Sequence, residues 1–136
     1  MNPEQEFFDL YINLYRSYIG KANKILSAYD LSSAQWQILK DIARHGETTL
    51  VDVSRRRQIE KSTANKVITY LLELDLIEST PGTDDRRRKN LSMSASGDRL
   101  FKEVRARMTG MQREILEDFD SKEVDAMIKM LRRINI

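Results

Sequence analysis

The sequence predicts a mainly α-helical chain built around a helix-turn-helix and a small β-hairpin wing, and three observations carry that prediction. Apolar residues recur at steps of three and four along most of the 136 residues, the period of helices with one buried face. Two short helical segments, 50–57 and 61–74, are separated by only a few residues. Between 76 and 93 the helical period gives way to two strand-like runs around a loop containing Pro81, Gly82, Asp84 and Asp85.

Taken in order, the first segment sets Phe7, Phe8, Tyr11, Leu14, Tyr15, Tyr18, Ala22, Ile25 and Leu26 on one face of a long amphipathic helix that closes at Tyr29-Asp30. Ser32 can cap a second helix, Gln35 can reach back to it, and Leu31 can staple against Trp36. That helix runs to about His45, where Gly46 stops it. Glu47-Thr48-Thr49 then leads to a short third helix with Leu50, Val51 and Val53 as its apolar positions and Arg55-Arg56-Arg57 at its end. The fourth places Ala64, Val67, Ile68, Leu71 and Leu72 inward and leaves Ser62, Thr63, Lys66, Thr69, Tyr70 and Glu73 outward. Its cap falls at Glu60 or at Ser62.

Strands at 76–80 and 89–93 form a hairpin with a charged tip. From Ser94, an N-cap, a long helix carries Leu100, Phe101, Val104, Met108, Met111, Ile115 and Phe119, a spacing suited to packing along another helix. Asp120 and Glu123 form a fresh capping pair, and the last helix aligns Val124, Met127, Ile128, Leu131 and Ile134.

Composition narrows the function. A chain of this length holds one core and no second catalytic domain. With 40% hydrophobic and 32% charged residues it is too apolar for disorder and too interrupted by charge to span a membrane. Glu4, Glu6 and Asp9 at the start contradict a secretory signal, so the expected location is cytoplasmic. Without cysteine, and with His45 alone among imidazoles, thiol chemistry and a metal cluster are not expected, and no cofactor is called for. Nor is there a glycine-rich phosphate loop or a gathered set of catalytic side chains, so an enzyme is not expected.

The net charge is only +2, but its distribution is uneven. Arg55, Arg56, Arg57, Lys61 and Lys66 crowd into twelve residues against Glu60 alone, which is what a phosphate-binding surface requires. Ser62, Thr63 and Asn65 add short hydrogen-bonding groups at the start of the fourth helix, where backbone amides also favour phosphate oxygens. Thr69 lies on the same outward face. At the hairpin tip Arg86, Arg87, Arg88 and Lys89 outweigh Asp84 and Asp85, and a slender basic loop fits a narrow minor groove. Arg87 is the residue expected to insert, with Asp85 holding its guanidinium by a charge-assisted bond. An isolated run of arginines is usually a solvated face; the helix-turn-helix context favours double-stranded DNA as the partner.

The order of elements, together with particular residues, resembles the MarR family of bacterial regulators from about Phe7 to the end of the sequence. Its most specific part is Gly82-Thr83-Asp84-Asp85-Arg86-Arg87-Arg88-Lys89 followed by Leu91, Met93, Ser94 and Gly97, similar to the family's wing with its Asp-x-Arg step and Thr-x-x-Gly. Lys61 to Lys66, with Leu71 and Asp75-Leu76-Ile77-Glu78, is similar to its recognition helix and exit. Arg57 and Gln58 depart from the family, which usually has an apolar residue and a glycine in that turn.

The resemblance implies a single domain over 1–136, with a winged lobe at 31–95 and dimerisation helices at 1–30 and 96–136. It further implies a homodimer on a pseudo-palindromic operator, acting as a repressor, and a small aromatic or lipophilic effector in a cleft beside the dimer helices. Tyr11, Tyr15, Tyr18, Trp36, Met108 and Met111 are the candidates to line that cleft, although such stripes are more often plain core. A winged module that binds protein instead of DNA is the alternative, and weak salt dependence would mark it.

Overall fold

The computed structural model describes residues 1–82 and 88–136, and among these six helices and three short strands follow one another. Helix α1 (Pro3–Ser27) begins with a capping box in which Asn2 accepts from the Gln5 amide at 2.8 Å and Gln5 accepts from the Asn2 amide. Asn-Pro-x-Gln spells this start directly, with proline in the first turn where its missing N–H costs nothing. The reading from Phe7 onward overlooked it. Helix α2 (Ser33–His45) opens with the expected Ser32–Gln35 box, and Leu31 and Trp36 are both buried.

Glu47–Thr48 forms β1, a third strand where the sequence suggested a plain link. Two residues are too few for an alternating pattern to register. Thr49 caps α3 (Leu50–Arg57) by accepting from the Asp52 amide. Helix α4 (Lys61–Glu73) has its N-cap at Glu60, with no side-chain cap bond, so the backbone rather than Ser62 sets the start. Strands β2 (Ile77–Pro81) and β3 (Lys89–Met93) pair antiparallel from Ile77 with Met93 to Pro81 with Lys89, and β1 flanks β3 on its other edge. The hairpin appears as expected, and its outer end closes through the Gly82 amide donating to the Arg88 carbonyl at 2.6 Å.

Helix α5 (Ala95–Ile115) starts at Ser94, whose Oγ accepts from the Gly97 amide at 2.9 Å, and it ends before Phe119. Helix α6 (Ser121–Arg133) carries the Asp120–Glu123 capping box.

The core forms where α1, α2, α4, the sheet and α5 meet. Leu26, Leu39, Ile42, Val53, Leu71 and Val104 are fully buried. Each such side chain contributes about 1.5 to 3 kcal/mol through removal from water. Trp36 of α2 stacks on Phe101 of α5, with centroids 5.2 Å apart and planes 24° from parallel. This ties the long C-terminal helix to the helix-turn-helix lobe. By contrast α6 buries none of its residues, and the first half of α1 leaves Phe7, Phe8, Tyr11 and Tyr15 exposed.

Three tight reversals fix the lobe. Asp30, Gln58 and Asp75 each adopt positive φ just after a helix. After α4 the Leu76 amide returns to the Leu71 carbonyl and the Asp75 amide to that of Leu72, a left-handed cap that turns the chain directly into β2. After α3 the Ile59 amide bonds back to Ser54 in the same manner.

Candidate nucleic-acid interface

The left-handed residue between α3 and α4 is Gln58, at φ 54° and ψ 48°. A side chain resists this conformation and glycine does not, which explains the glycine usual at this point. The departure at Gln58 therefore leaves the turn's geometry intact. It delivers α4 with Ala64, Ile68 and Leu71 buried and Lys61, Ser62, Thr63, Asn65, Lys66 and Thr69 all exposed. The helix thus shows a continuous polar and basic face to solvent from its first turn. Tyr70 is an exception to the expected outward set: half-buried, it donates from Oη to the Asp30 carbonyl at 2.6 Å.

Two concavities flank this face. One of about 290 Å³ lies between α4 and the sheet and brings Asn65 and Thr69 together with Arg88, Lys89 and Thr49. Arg88 is thereby set beside α4. Lys89 was counted with the basic tip, whereas Thr49 was not among the expected contact residues; the Thr49-x-x-Asp52 cap, legible in the sequence, would have placed it at a helix start. The other, a shallow hollow at the turn, gathers Arg55, Lys61, Ser62 and Thr63. Arg55 is exposed and pairs with Asp52 one turn back. Asp85, Arg86 and Arg87, the expected tip residues, lie outside the described residues.

Arg56 differs from its neighbours in having an acid partner on another helix. Expected at the phosphate surface, its guanidinium is instead engaged within the lobe: Nε lies 3.2 Å from both oxygens of Asp41, and Nη2 lies 2.6 Å from Asp41 and 2.8 Å from Thr48 Oγ1. The Asp41 side chain is only 8% exposed, so the pair locks α3 onto α2 and β1. The hydrogen bond to Asp41 raises the Arg56 pKa further and keeps the guanidinium charged. Sequence spacing shows that Arg56 is basic but not which of three neighbouring arginines faces an acid on another helix.

An apolar cleft of about 300 Å³ opens between α1 and α5, lined by Tyr11, Leu14, Tyr15, Tyr18, Ile115 and Leu116, with Gln112 donating to Tyr18 Oη at 2.9 Å. Tyr11, Tyr15 and Tyr18 are where the sequence suggested. Trp36 and Met108 are not: both are core residues, and Met111 lies outside this cleft. The helical stripe on α5 turns its Met108 edge to the core and its Gln112 edge to the cleft, a distinction finer than periodicity resolves. Among the described residues no group of acids or histidines is placed to hold a metal ion, and no helix is long and apolar enough to cross a membrane.

Comparisons with known proteins agree with this architecture. The model of a family described as MarR family matches residues 29–88. An uncharacterised HTH-type transcriptional regulator of Staphylococcus aureus is 43% identical over 100 residues, covering 74% of this chain and 68% of the relative. A Staphylococcus aureus MarR solved in complex with salicylate and kanamycin superposes with a TM-score of 0.88 at 33% identity, covering 96% of this chain and 88% of that one. MarR from E. coli complexed with operator DNA superposes with a TM-score of 0.80 over 98% of each chain; at 17% identity this likeness concerns the fold.

Proposed function

The chain belongs to the MarR family of transcriptional regulators, and we propose that it binds a pseudo-palindromic DNA operator as a homodimer and represses transcription. The observation that carries this reading is the exposed face of α4, where Lys61, Ser62, Thr63, Asn65, Lys66 and Thr69 are presented on a helix whose other side is locked into the core. Short donors and acceptors on a protruding helix suit base edges in the major groove. Arg55 and Arg88 flank it with charge, and the basic tip sequence that includes Asp85, Arg86 and Arg87 adds the groups expected at the minor groove.

The homodimer is supported by apolar surface that one chain does not cover. Phe7, Phe8, Tyr11 and Tyr15 on α1, and Ile128, Leu131 and Ile134 at α6, are each more than 40% exposed. In this reading the terminal segments 1–30 and 96–136 interleave, while 31–95 reads DNA. Two recognition helices then sit about 34 Å apart, one turn of DNA. Such a dimer blocks polymerase by occupancy, and its place of action is the cytoplasm. The α1–α5 cleft supports a small aromatic or lipophilic effector, because its lining offers aromatic rings, aliphatic side chains and a single amide.

A gel shift with the DNA upstream of its own gene tests the core of this reading. A discrete complex that survives excess mixed-sequence DNA is expected; absence of any complex at low salt would end it.

A further inference from the structure

Beyond the recognition helix and wing, α2 carries two further cations that neither of them explains, and Arg57 of the basic run at 55–66 is drawn toward them. Lys40 and Arg44 stand one turn apart on α2, and the clamp between Arg56 and Asp41 holds the last turn of α3, in which Arg57 follows Arg56, to that helix. Like charges at this spacing on a helix repel. Asp41, the acid nearest in sequence, already pairs with Arg56 and lies near His45. Among the described residues none of Lys40, Arg44 and Arg57 joins a salt bridge. Lys40 is also half-buried, and burial, then Arg44 and Arg57, push its pKa below the ordinary lysine value. A fold that crowds three cations and leaves them unneutralised sacrifices stability there, as binding sites for anions commonly do.

We propose that Lys40, Arg44 and Arg57 form an accessory phosphate-binding patch that grips the DNA backbone beside the segment read by α4. Arg57 stands four residues before Lys61, so the chain between them spans no more than about 14 Å. The patch therefore adjoins the start of the recognition helix. It contributes charge neutralisation and no base discrimination, so its effect is the same on any sequence. This inference rests on the DNA-binding reading above.

The test is a salt titration of binding to sheared mixed-sequence DNA and to the upstream region, comparing wild type, R44Q, and the triple variant K40Q/R44Q/R57Q. Removing the patch is expected to reduce the slope of log affinity against log salt by about 3 and to weaken binding at least tenfold on both DNAs. The melting temperature should stay level or rise, since mutual repulsion is relieved. R44Q, at an exposed position, should show a smaller loss of slope without any cost to folding. Wild-type slope and affinity in both variants would overturn the patch while leaving DNA binding by α4 intact. So would a loss confined to the upstream region, which marks a disturbed recognition helix. Failure of the wild type to bind either DNA would instead remove the reading on which the patch rests.

Discussion

Gly97 packs so closely on the backbone of Leu76 that a β carbon on the glycine would stand 1.8 Å from the Leu76 carbonyl oxygen. Around this contact the Ser94 amide donates to the same carbonyl at 3.1 Å, and the hydroxyls of Ser94 and Ser96 both donate to the Asp75 carbonyl. The exit of α4 and the start of α5 are thereby one rigid joint. Ser94-x-x-Gly97 is thus a packing motif: the serine caps the helix and the glycine lets it approach. Any side chain at 97 must push α5 away from the sheet. Gly97→Ala should cost about 3 kcal/mol, at the upper end of overpacking effects. Chemical denaturation would measure it, and a variant as stable as wild type would show that α5 does not approach this closely.

Gln58 makes the opposite prediction. Its left-handed backbone costs a side-chain-bearing residue about 1 kcal/mol, while glycine gives back part of that gain through its greater freedom when unfolded. Gln58→Gly should therefore stabilise the chain by ~0.5 kcal/mol. A lower thermal midpoint in the glycine variant would mean that the turn is not left-handed in solution.

The bond between Arg56 and Asp41 separates a structural arginine from its neighbours. Asp41→Ala leaves a guanidinium that is about two-thirds covered without its acid, and should cost about 2 kcal/mol. Arg55→Ala, whose partner Asp52 is itself half-exposed, should cost less than 1 kcal/mol. Comparing urea midpoints of the two variants decides the matter; equal losses would refute a structural role for the Arg56–Asp41 pair.

Where periodicity and caps carry information, the sequence was legible. Ser32 with Gln35, Asp120 with Glu123, and Ser94 alone each mark a helix start that the fold realises, because a cap needs only residues within one turn. The inward set of α4 was equally readable. What escaped were features settled by other parts of the chain. Glu47 and Thr48 become a strand only because β3 lies beside them. Arg56 is paired only because Asp41 waits on α2. Trp36 belongs to the core because Phe101, 65 positions later, stacks on it. Pairings at such separations leave no local periodic trace.

At the wing, the proposed reading puts Arg87 in the minor groove. Replacing it by alanine should weaken operator binding by 10-fold or more, the loss of one good contact of ~1 to 3 kcal/mol, while the melting temperature is unchanged. Fluorescence anisotropy on the upstream duplex reads the affinity. Operator affinity equal to wild type at physiological salt would remove Arg87 from the interface.

The terminal helices make the last prediction. On α6, Ile128 and Leu131 are 41% and 58% exposed and lie three residues apart, on one side of a helix that buries nothing in its own chain. If they meet a second copy, a charge there is desolvated without a partner, which costs several kcal/mol and falls twice in a symmetric interface. Leu131→Glu should therefore yield a folded monomer: α6 sits outside the core defined by Leu26, Leu39 and Val104, so the lobe survives. Light scattering at micromolar concentration should report a dimer for wild type and half that mass for the variant, with circular dichroism showing little loss of helix. The variant should also lose operator affinity steeply, because each lobe alone forfeits the gain from joining two half-sites. A dimeric Leu131→Glu would move the interface away from α6, and a monomeric wild type would abolish it.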